Sequence, residues 1–145
     1  MMNALAEQIS AGRRSSNPVI LIVDDDPEIR RALRRCLRGE RYELITAESG
    51  DQALERLSDG PVDLVITDQR MPGMWGTDLL QEIRERLPRT PCAILTAFRT
   101  LSVIRDGIDA GAATILFKPW KDGKLRSTVR HLLGGQAAGG PPEAG

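Results

Sequence analysis

The sequence predicts an α/β fold, a doubly wound five-stranded parallel sheet with helices on both faces. Five short apolar runs alternate along the chain with longer segments whose apolar residues recur at helical spacing. Apolar residues fill consecutive positions of the central runs, a pattern typical of strands buried on both faces. Glycine and proline separate most of these segments. Strands and helices that alternate in this way form a parallel sheet between two helical layers.

The first two strand–helix units lie between residues 19 and 57. An apolar run at 19–23 precedes a helical pattern at 28–38, and Asp26 before a proline predicts a helix N-cap. The segment 42–47 favours a strand, and the segment 49–57 has one apolar helical face. The apolar helical positions are Ile29, Leu33, Cys36 and Leu37 in the first helix and Ala53, Leu54 and Leu57 in the second.

Three more units complete the predicted sheet, with strands at 62–67, 93–96 and 114–117. The third helix follows a Pro-Gly break and stops at Pro88, and the fourth closes at Gly111. The apolar positions are Leu79, Leu80, Ile83 and Leu87 in the third helix, Val103, Ile104 and Ile108 in the fourth, and Leu125, Val129, Leu132 and Leu133 in the last.

Composition excludes several classes of function. The 145 residues suffice for one domain, which we place at 18–133, between an N-terminal tail (1–17, with room for a short helix) and a linker-like segment at 134–145. Lys plus Arg equals Asp plus Glu at 20 each, so net charge gives no reason to expect direct binding to nucleic acid or a membrane. No segment has the length and hydropathy of a membrane span.

The two cysteines give information about the cellular compartment of the protein. Cys36 and Cys92 lie far apart and form no CxxC pair, which favours two reduced thiols over a disulfide, although a structural bridge stays open. Reduced thiols and the lack of an apolar leader predict a soluble cytoplasmic protein.

Polar residues with ligand chemistry follow the predicted strands. In a doubly wound sheet, ligands bind beyond the carboxyl ends of the strands. Those positions hold Asp24, Asp25 and Asp26 after the first strand, Asp68 after the third, Thr96 after the fourth and Lys118 after the fifth. Carboxylate oxygens suit Mg²⁺, and the cation and hydroxyl suit a phosphoryl group. Taken singly, each of these residues also fits a turn or a cap, and capping is the preferred interpretation of Asp26.

Four stretches in order, VDDDPEIR, DLVITDQRMPGMWG, ILTA and FKPW, together resemble the receiver domain of bacterial two-component response regulators. The resemblance covers about 18–133. It implies a flavodoxin-like (βα)5 fold with strand order 2-1-3-4-5. It also implies a cis peptide bond between Lys118 and Pro119, a position where the family often has one.

The same resemblance implies roles for the residues at the strand ends. Asp68 matches the phosphorylated aspartate of the family, and Thr96 and Lys118 match the hydroxyl and the ammonium that contact the phosphoryl oxygens. The implied cofactor is Mg²⁺ or Mn²⁺. Its implied ligands are Asp25 directly, Asp24 through water, Asp68, and the backbone carbonyl of Arg70.

The function so implied is a phosphorylation-dependent signalling switch rather than an enzyme in the usual sense. A histidine kinase or histidine phosphotransfer protein donates to Asp68, and slow self-dephosphorylation resets the switch. The changed surface then controls an output domain or an effector protein. A homodimer through the last helix–strand–helix face is also implied. Surface candidates are Leu101, Ile104, Trp120 and Arg126.

Two other functions stay open. A degenerate receiver would act as a constitutive protein-interaction module, although the full set of site residues argues against it. A metal-dependent phosphohydrolase would use Asp68 as a turnover nucleophile, but Arg70 occupies the position where that chemistry wants a second carboxylate. The KPW ending resembles receivers joined to HD-type cyclic dinucleotide phosphodiesterases or to transcriptional activators.

Some positions depart from the family pattern. Ile115 stands where many receivers have a Tyr or Phe, and Trp75 stands where an acidic or amide residue is common. Arg70 and Phe98 flank the site, and one hypothesis pairs Arg70 with the aspartates. The first helix carries a basic set, which is interpreted either as a solvated face or as a docking surface for the phosphodonor. That set is Arg30, Arg31, Arg34, Arg35 and Arg38.

Overall fold

Five parallel strands form a single sheet in the computed structural model, which describes residues 17–135. The strands are β1 (Val19–Val23), β2 (Glu43–Ala47), β3 (Leu64–Thr67), β4 (Cys92–Thr96) and β5 (Thr114–Phe117). The helices are α1 (Pro27–Leu37), α2 (Gly50–Asp59), α3 (Gly76–Arg86), α4 (Leu101–Asp109) and α5 (Asp122–Arg130). The strand order β2-β1-β3-β4-β5 confirms the predicted doubly wound fold.

The strands differ slightly from their predicted bounds, for local reasons. β2 begins at Glu43 because Arg41 adopts the left-handed conformation, with φ of 64°. β3 begins at Leu64, and Asp63 before it binds Val19 of β1 through both its backbone and its side chain. Its N–H donates to the carbonyl of Val19, and its carboxylate accepts from the Val19 N–H at 2.8 Å. The predicted strand 62–67 is therefore two residues too long at its start.

The last helix is shorter than predicted. α5 ends at Arg130, and Leu132 and Leu133 lie in the wider π-type turn His131–Gly135 that follows it. Gly134 ends this turn with φ of 93°, a conformation that favours glycine. Both leucines still pack against the core beneath α1 and α5, although they lie outside the helix.

The core has two halves, one on each face of the sheet. β1 is buried along its whole length and sends Leu21 to one face and Ile20 and Ile22 to the other. The first face packs against α2 and α3, and the second packs against α1 and α5. Burial on both faces explains why β1 is apolar at every position instead of alternating.

Side chains cap the helices that start beyond the carboxyl ends of β1, β2 and β4. The Asp26 carboxylate accepts from the Glu28 N–H at 2.9 Å, which confirms the predicted N-cap of α1. Ser49 caps α2 and Thr100 caps α4 in the same way. The Lys118–Pro119 peptide bond is cis.

The predicted tails, 1–17 and 134–145, lie almost wholly outside the described residues. The helices within residues 17–135 are all too short or too polar to cross a bilayer.

The two cysteines are free thiols, as predicted, and both are buried. Burial raises the pKa of the Cys92 thiol to about 12. The pKa of Cys36 is also raised, first by burial and then by its hydrogen bond to Asp122 and the negative charge of that residue. Both raised values disfavour the reactive thiolate.

We therefore expect neither thiol to react readily with Ellman's reagent in the native protein at pH 8. With a pKa of about 12, about one Cys92 thiol in ten thousand is ionised at that pH. In guanidinium chloride both thiols should react within the mixing time of the assay. Rapid reaction of Cys92 without denaturant would contradict its burial, and the absence of reactive thiols in denaturant would reveal a disulfide.

Candidate metal and phosphoryl site

The parallel sheet brings four of the predicted site residues to one edge. Asp24 follows β1, Asp68 follows β3, Thr96 ends β4 and Lys118 follows β5. Backbone hydrogen bonds between neighbouring strands fix the positions of these residues relative to one another. The Asp68 N–H donates to the carbonyl of Val23 at 2.9 Å, and the Lys118 N–H donates to the carbonyl of Thr96 at 2.9 Å. The site is therefore an extension of the strand ladder.

The ammonium group of Lys118 bridges two carboxylates. Its Nζ lies 2.8 Å from Oδ2 of Asp24 and 3.3 Å from Oδ2 of Asp68. All three side chains are largely buried, with exposed fractions of 15%, 3% and 11% for Lys118, Asp24 and Asp68. Burial alone would lower the pKa of Lys118, but its hydrogen bonds to the two carboxylates and their charge raise it. The lysine is therefore a fixed positive charge in the site.

The surroundings of Asp68 shift the pKa of its carboxyl group. Burial raises its pKa, and the negative charge of Asp24 raises it further. Lys118 and the Gln69 N–H, which donates to Oδ1 at 2.7 Å, oppose that rise. The ionised form of Asp68 is therefore held in the folded protein at a cost, which a bound cation would relieve.

Three carboxylates form an acidic cluster that fits a hard divalent cation. One oxygen atom from each of Asp24, Asp25 and Asp68 lies within 4.8 Å of the others. Asp25 is exposed, so the cluster is open to solvent on one side. Mg²⁺ takes oxygen ligands only and keeps several waters, and an open all-oxygen cluster suits both requirements.

Thr96 is fully buried, and its hydroxyl is tied to the next loop. Oγ1 accepts from the Phe98 N–H at 3.2 Å. Its backbone carbonyl also accepts from Lys118, so Thr96 connects the site to the segment 97–100 that leads into α4.

Arg70 does not pair with the aspartates, contrary to the hypothesis from sequence. Its guanidinium carbon lies 4.0 Å from the centre of the Phe98 ring and 5.5 Å from the centre of the Trp75 ring. Among the described residues, the ion pairs of Asp24 and Asp68 are made with Lys118. The Arg70 guanidinium thus faces the rings of Trp75 and Phe98 instead of the aspartates.

Sequence reasoning missed the residues that hold the loop after Asp68. Gln69 is buried, its Oε1 accepts from the Thr77 N–H at 2.9 Å, and its Nε2 donates to Thr77 Oγ1 at 3.2 Å. The Gly76 N–H donates to the Gln69 carbonyl at 2.8 Å, and a Cβ on Gly76 would collide with the Asp68 carbonyl oxygen. Glycine at the first position of a helix, just beyond a Pro-Gly loop, was the available signal of this close approach.

The basic set on α1 does not form one uniform solvated face. Nη1 of Arg30 donates to the backbone carbonyl of Asp24 at 2.6 Å, so this residue supports the site. Arg31 pairs with Glu28 on the surface at 2.6 Å, and Arg34, Arg35 and Arg38 are exposed. The solvated interpretation therefore fails for Arg30.

The predicted surface candidates also fall into different environments. Leu101 is 76% exposed, whereas Ile104 is partly buried. Trp120 packs against the core beside α1 and α5, and its Nε1 donates to Asp122 at 3.0 Å. Arg126 lies beside Glu40, with Nε 3.9 Å from Oε2. Trp120 is therefore partly buried by packing and is not a free surface anchor.

Comparison with known proteins gives a consistent result. A family model for the response regulator receiver domain matches residues 20–130. The response regulator protein PilR of Pseudomonas aeruginosa is 40% identical over 113 residues, which cover 78% of this chain and 25% of PilR. The DNA-binding transcriptional regulator NtrC of Escherichia coli is 38% identical over 115 residues, covering 79% and 24%. The chain spans about a quarter of the length of these relatives.

Solved structures show the same similarity. The signal receiver domain of an HD domain-containing protein from Pseudomonas fluorescens superposes with a TM-score of 0.80 at 35% identity, covering 85% of this chain and 91% of that one. The Vibrio cholerae chemotaxis protein CheY4 gives a TM-score of 0.75 at 29% identity, covering 80% and 98%.

The close approach at Gly76 leads to a stability prediction. Gly76→Ala should destabilise the protein by about 1–3 kcal/mol, because the added methyl group forces the loop after Asp68 to shift. Gly123→Ala in α5 is the matched control. Its added methyl group meets nothing within 4 Å, so it should be neutral or stabilising by up to about 1 kcal/mol. Urea unfolding measures both, and equal stability of Gly76→Ala and the wild type would contradict the tight contact.

Proposed function

The chain belongs to the response regulator receiver domain family, and from this premise we propose that it is a phosphorylation switch whose acceptor is Asp68. Membership of the family establishes a role in phosphorylation-dependent signalling. The acceptor residue, the metal, the donor and the output are the parts that we propose here.

The observation that carries the proposal is the Lys118 ammonium between Asp24 and Asp68 at the edge of the sheet. A carboxylate is a weak nucleophile, so transfer onto it depends on positioning and on neutralising charge. An Asp68 oxygen would attack the phosphorus while the bond from phosphorus to the donor breaks. Lys118 is fixed 3.3 Å from that carboxylate and supplies a positive charge for the phosphoryl oxygens.

The acidic cluster supports a divalent cation as the cofactor. We propose that Asp24, Asp25 and Asp68, with the backbone carbonyl of Arg70, hold Mg²⁺ or Mn²⁺. The ion, when bound, supplies charge neutralisation for the phosphoryl oxygens. Asp24 already interacts with Lys118 at 2.8 Å, which supports its predicted indirect role, through water, and leaves the exposed Asp25 as the more available ligand.

The proposed donor is a histidine kinase or a histidine phosphotransfer protein, as for the family. A phosphoryl group adds nearly two negative charges to the site, and Thr96 and Lys118 reorganise around it. The altered surface would act on an output domain or an effector, and the relatives named as transcriptional regulators favour gene control as the output. We propose the face made of α4, β5 and α5 for homodimer contacts, and the reducing cytoplasm as the site of action.

The two alternatives make different demands on the site. A constitutive interaction module does not require a buried Lys118 that bridges two buried carboxylates. Removing these three charges from water costs free energy that such a module would not recover in its function. A phosphohydrolase needs a second acid or base beside Asp68, and the side chain of Arg70 instead stacks on Phe98. The switch explains more of the observed contacts than either alternative.

Intact-mass measurement with acetyl phosphate and Mg²⁺ tests the proposal. The wild type should gain the mass of one phosphoryl group, and Asp68→Asn should gain none. Asp59→Asn, an exposed carboxylate at the end of α2, is the matched control and should be phosphorylated like the wild type. No adduct in the wild type would favour the interaction module, and continuous consumption of donor without an adduct would favour the phosphohydrolase.

The raised pKa of Asp68 gives a second prediction. A carboxyl whose folded-state pKa is raised contributes stability at low pH that is lost as pH rises through that pKa. At pH 7 in EDTA, Asp68→Asn should therefore melt a few degrees higher than the wild type, a change on the order of 1 kcal/mol. Lys118 should keep a partner in this variant, because its contact with Asp24, 2.8 Å in the wild type, does not involve Asp68.

Excess Mg²⁺ should raise the melting temperature of the wild type more than that of Asp68→Asn, because the ion binds the folded wild type more tightly. The difference between the two proteins in EDTA should therefore narrow or change sign. Differential scanning fluorimetry with EDTA and with excess Mg²⁺ measures both effects, with Asp59→Asn as the control. A lower melting temperature for Asp68→Asn in EDTA would show that the carboxylate stabilises the metal-free fold.

A further inference from the structure

Arginine–aromatic contacts hold both sides of the loop that joins β4 to α4, residues 97–100. On one side, the guanidinium carbon of Arg70 lies 4.0 Å from the centre of the Phe98 ring. On the other side, the guanidinium carbon of Arg99 lies 4.7 Å from the centre of the Phe117 ring in β5. Both separations are within the range of a cation–π attraction. The loop is therefore attached to the loop after β3 and to the edge strand β5.

Phe98 is restrained by two residues that both belong to the neighbourhood of the phosphoacceptor. Its ring contacts Arg70, which follows Asp68 by two residues, and its N–H donates to the hydroxyl of Thr96 at 3.2 Å. The ring is 39% exposed, so the contact with Arg70 is of the weaker, solvated kind. A charge-assisted hydrogen bond from a guanidinium to a phosphoryl oxygen is stronger than such a contact.

We propose that the contact between Arg70 and Phe98 is a latch, and that phosphorylation of Asp68 opens it by drawing the Arg70 guanidinium to the phosphoryl group. The inference rests on the proposed function, because it needs the phosphoryl group on Asp68. Thr96 has the role of a phosphoryl contact in that function, so the same event withdraws the second restraint on Phe98. The contact between Arg99 and Phe117 stays in place and acts as the fixed end of the loop.

Opening the latch has a direct consequence for α4. Thr100 is the N-cap of α4, where its hydroxyl accepts from the Val103 N–H at 3.3 Å and its carbonyl accepts from the Ile104 N–H at 3.2 Å. Both bonds depend on the position of the loop that carries Phe98. Release of Phe98 therefore loosens the first turn of α4, next to Leu101, whose side chain is 76% exposed.

Amide hydrogen exchange of Val103 and Ile104 measures the state of the latch. In the unphosphorylated protein, Arg70→Ala and Phe98→Leu should each raise their exchange rates about 2- to 5-fold, the factor expected from one exposed cation–π contact. The double variant should exchange no faster than either single variant. Arg70→Ala keeps the backbone carbonyl at that position. Arg89→Ala, another exposed arginine, is the matched control and should leave the rates unchanged.

Phosphorylation with acetyl phosphate and Mg²⁺ then tests the opening step, with exchange rates normalised to the fraction of adduct found by intact mass. The wild type should show a similar 2- to 5-fold rise, and Arg70→Ala should show little further rise. Arg99→Ala, which frees the fixed end, should raise exchange in both forms and keep the increment caused by phosphorylation.

Three outcomes would overturn the latch. The first is unchanged exchange in unphosphorylated Arg70→Ala, and the second is an increment on phosphorylation that is as large in Arg70→Ala as in the wild type. Either result, with an adduct present, would contradict the latch and leave the switch function intact. The third is the absence of any adduct on the wild type, which would contradict the switch and the opening step together.

Discussion

The ionic contact of Lys118 with Asp24 and Asp68 is the interaction on which the organisation of the site depends. Parallel strands bring these side chains to the same edge, where two largely buried carboxylates face each other. Without a cation, that proximity would raise the free energy of the folded state, because burial strengthens repulsion between like charges. Lys118 offsets part of the repulsion, but the pKa of Asp68 stays raised, first by burial and then by the negative charge of Asp24. The site thus favours further positive charge, which is what the proposed cation would supply.

The loops around this contact are held by hydrogen bonds between side chains and the backbone. Arg30 donates to the carbonyl of Asp24, and the Asp26 N–H donates to the Asp24 carboxylate at 2.9 Å. On the other side, Gln69 and Gly76 fix the loop after β3 by hydrogen bonds and close backbone contact. Such bonds position a carboxylate accurately, and they leave the outer faces of the loops free for exposed residues such as Trp75.

The fold, and the residues that meet at the edge of the sheet, can be predicted from the sequence, because both depend on the order of apolar and polar residues along the chain. Apolar runs predict buried strands, and residues that follow those strands must meet at one edge of a parallel sheet. The direction of a long side chain does not follow from such a pattern. Arg70 was expected to face the aspartates and instead lies on Phe98, because two nearby rings offer a contact at little desolvation cost. The hydrogen bond of Arg30 to the Asp24 carbonyl is unpredictable for the same reason, since it depends on three-dimensional proximity.

Ile115, which departs from the family pattern, packs between β5 and α4 and limits how these two elements can move. Its Cδ1 lies so close to Gly107 of α4 that a Cβ there would be 2.8 Å away, and Ile94 of the neighbouring strand lies 3.1 Å from the same point. A branched aliphatic side chain in this narrow space has few alternative rotamers, whereas an aromatic ring could turn as one unit. The packed interface between α4 and β5 therefore resists rearrangement at Ile115. The first turn of α4 instead follows an exposed loop held by Thr96 and Arg70, and the proposed latch acts there.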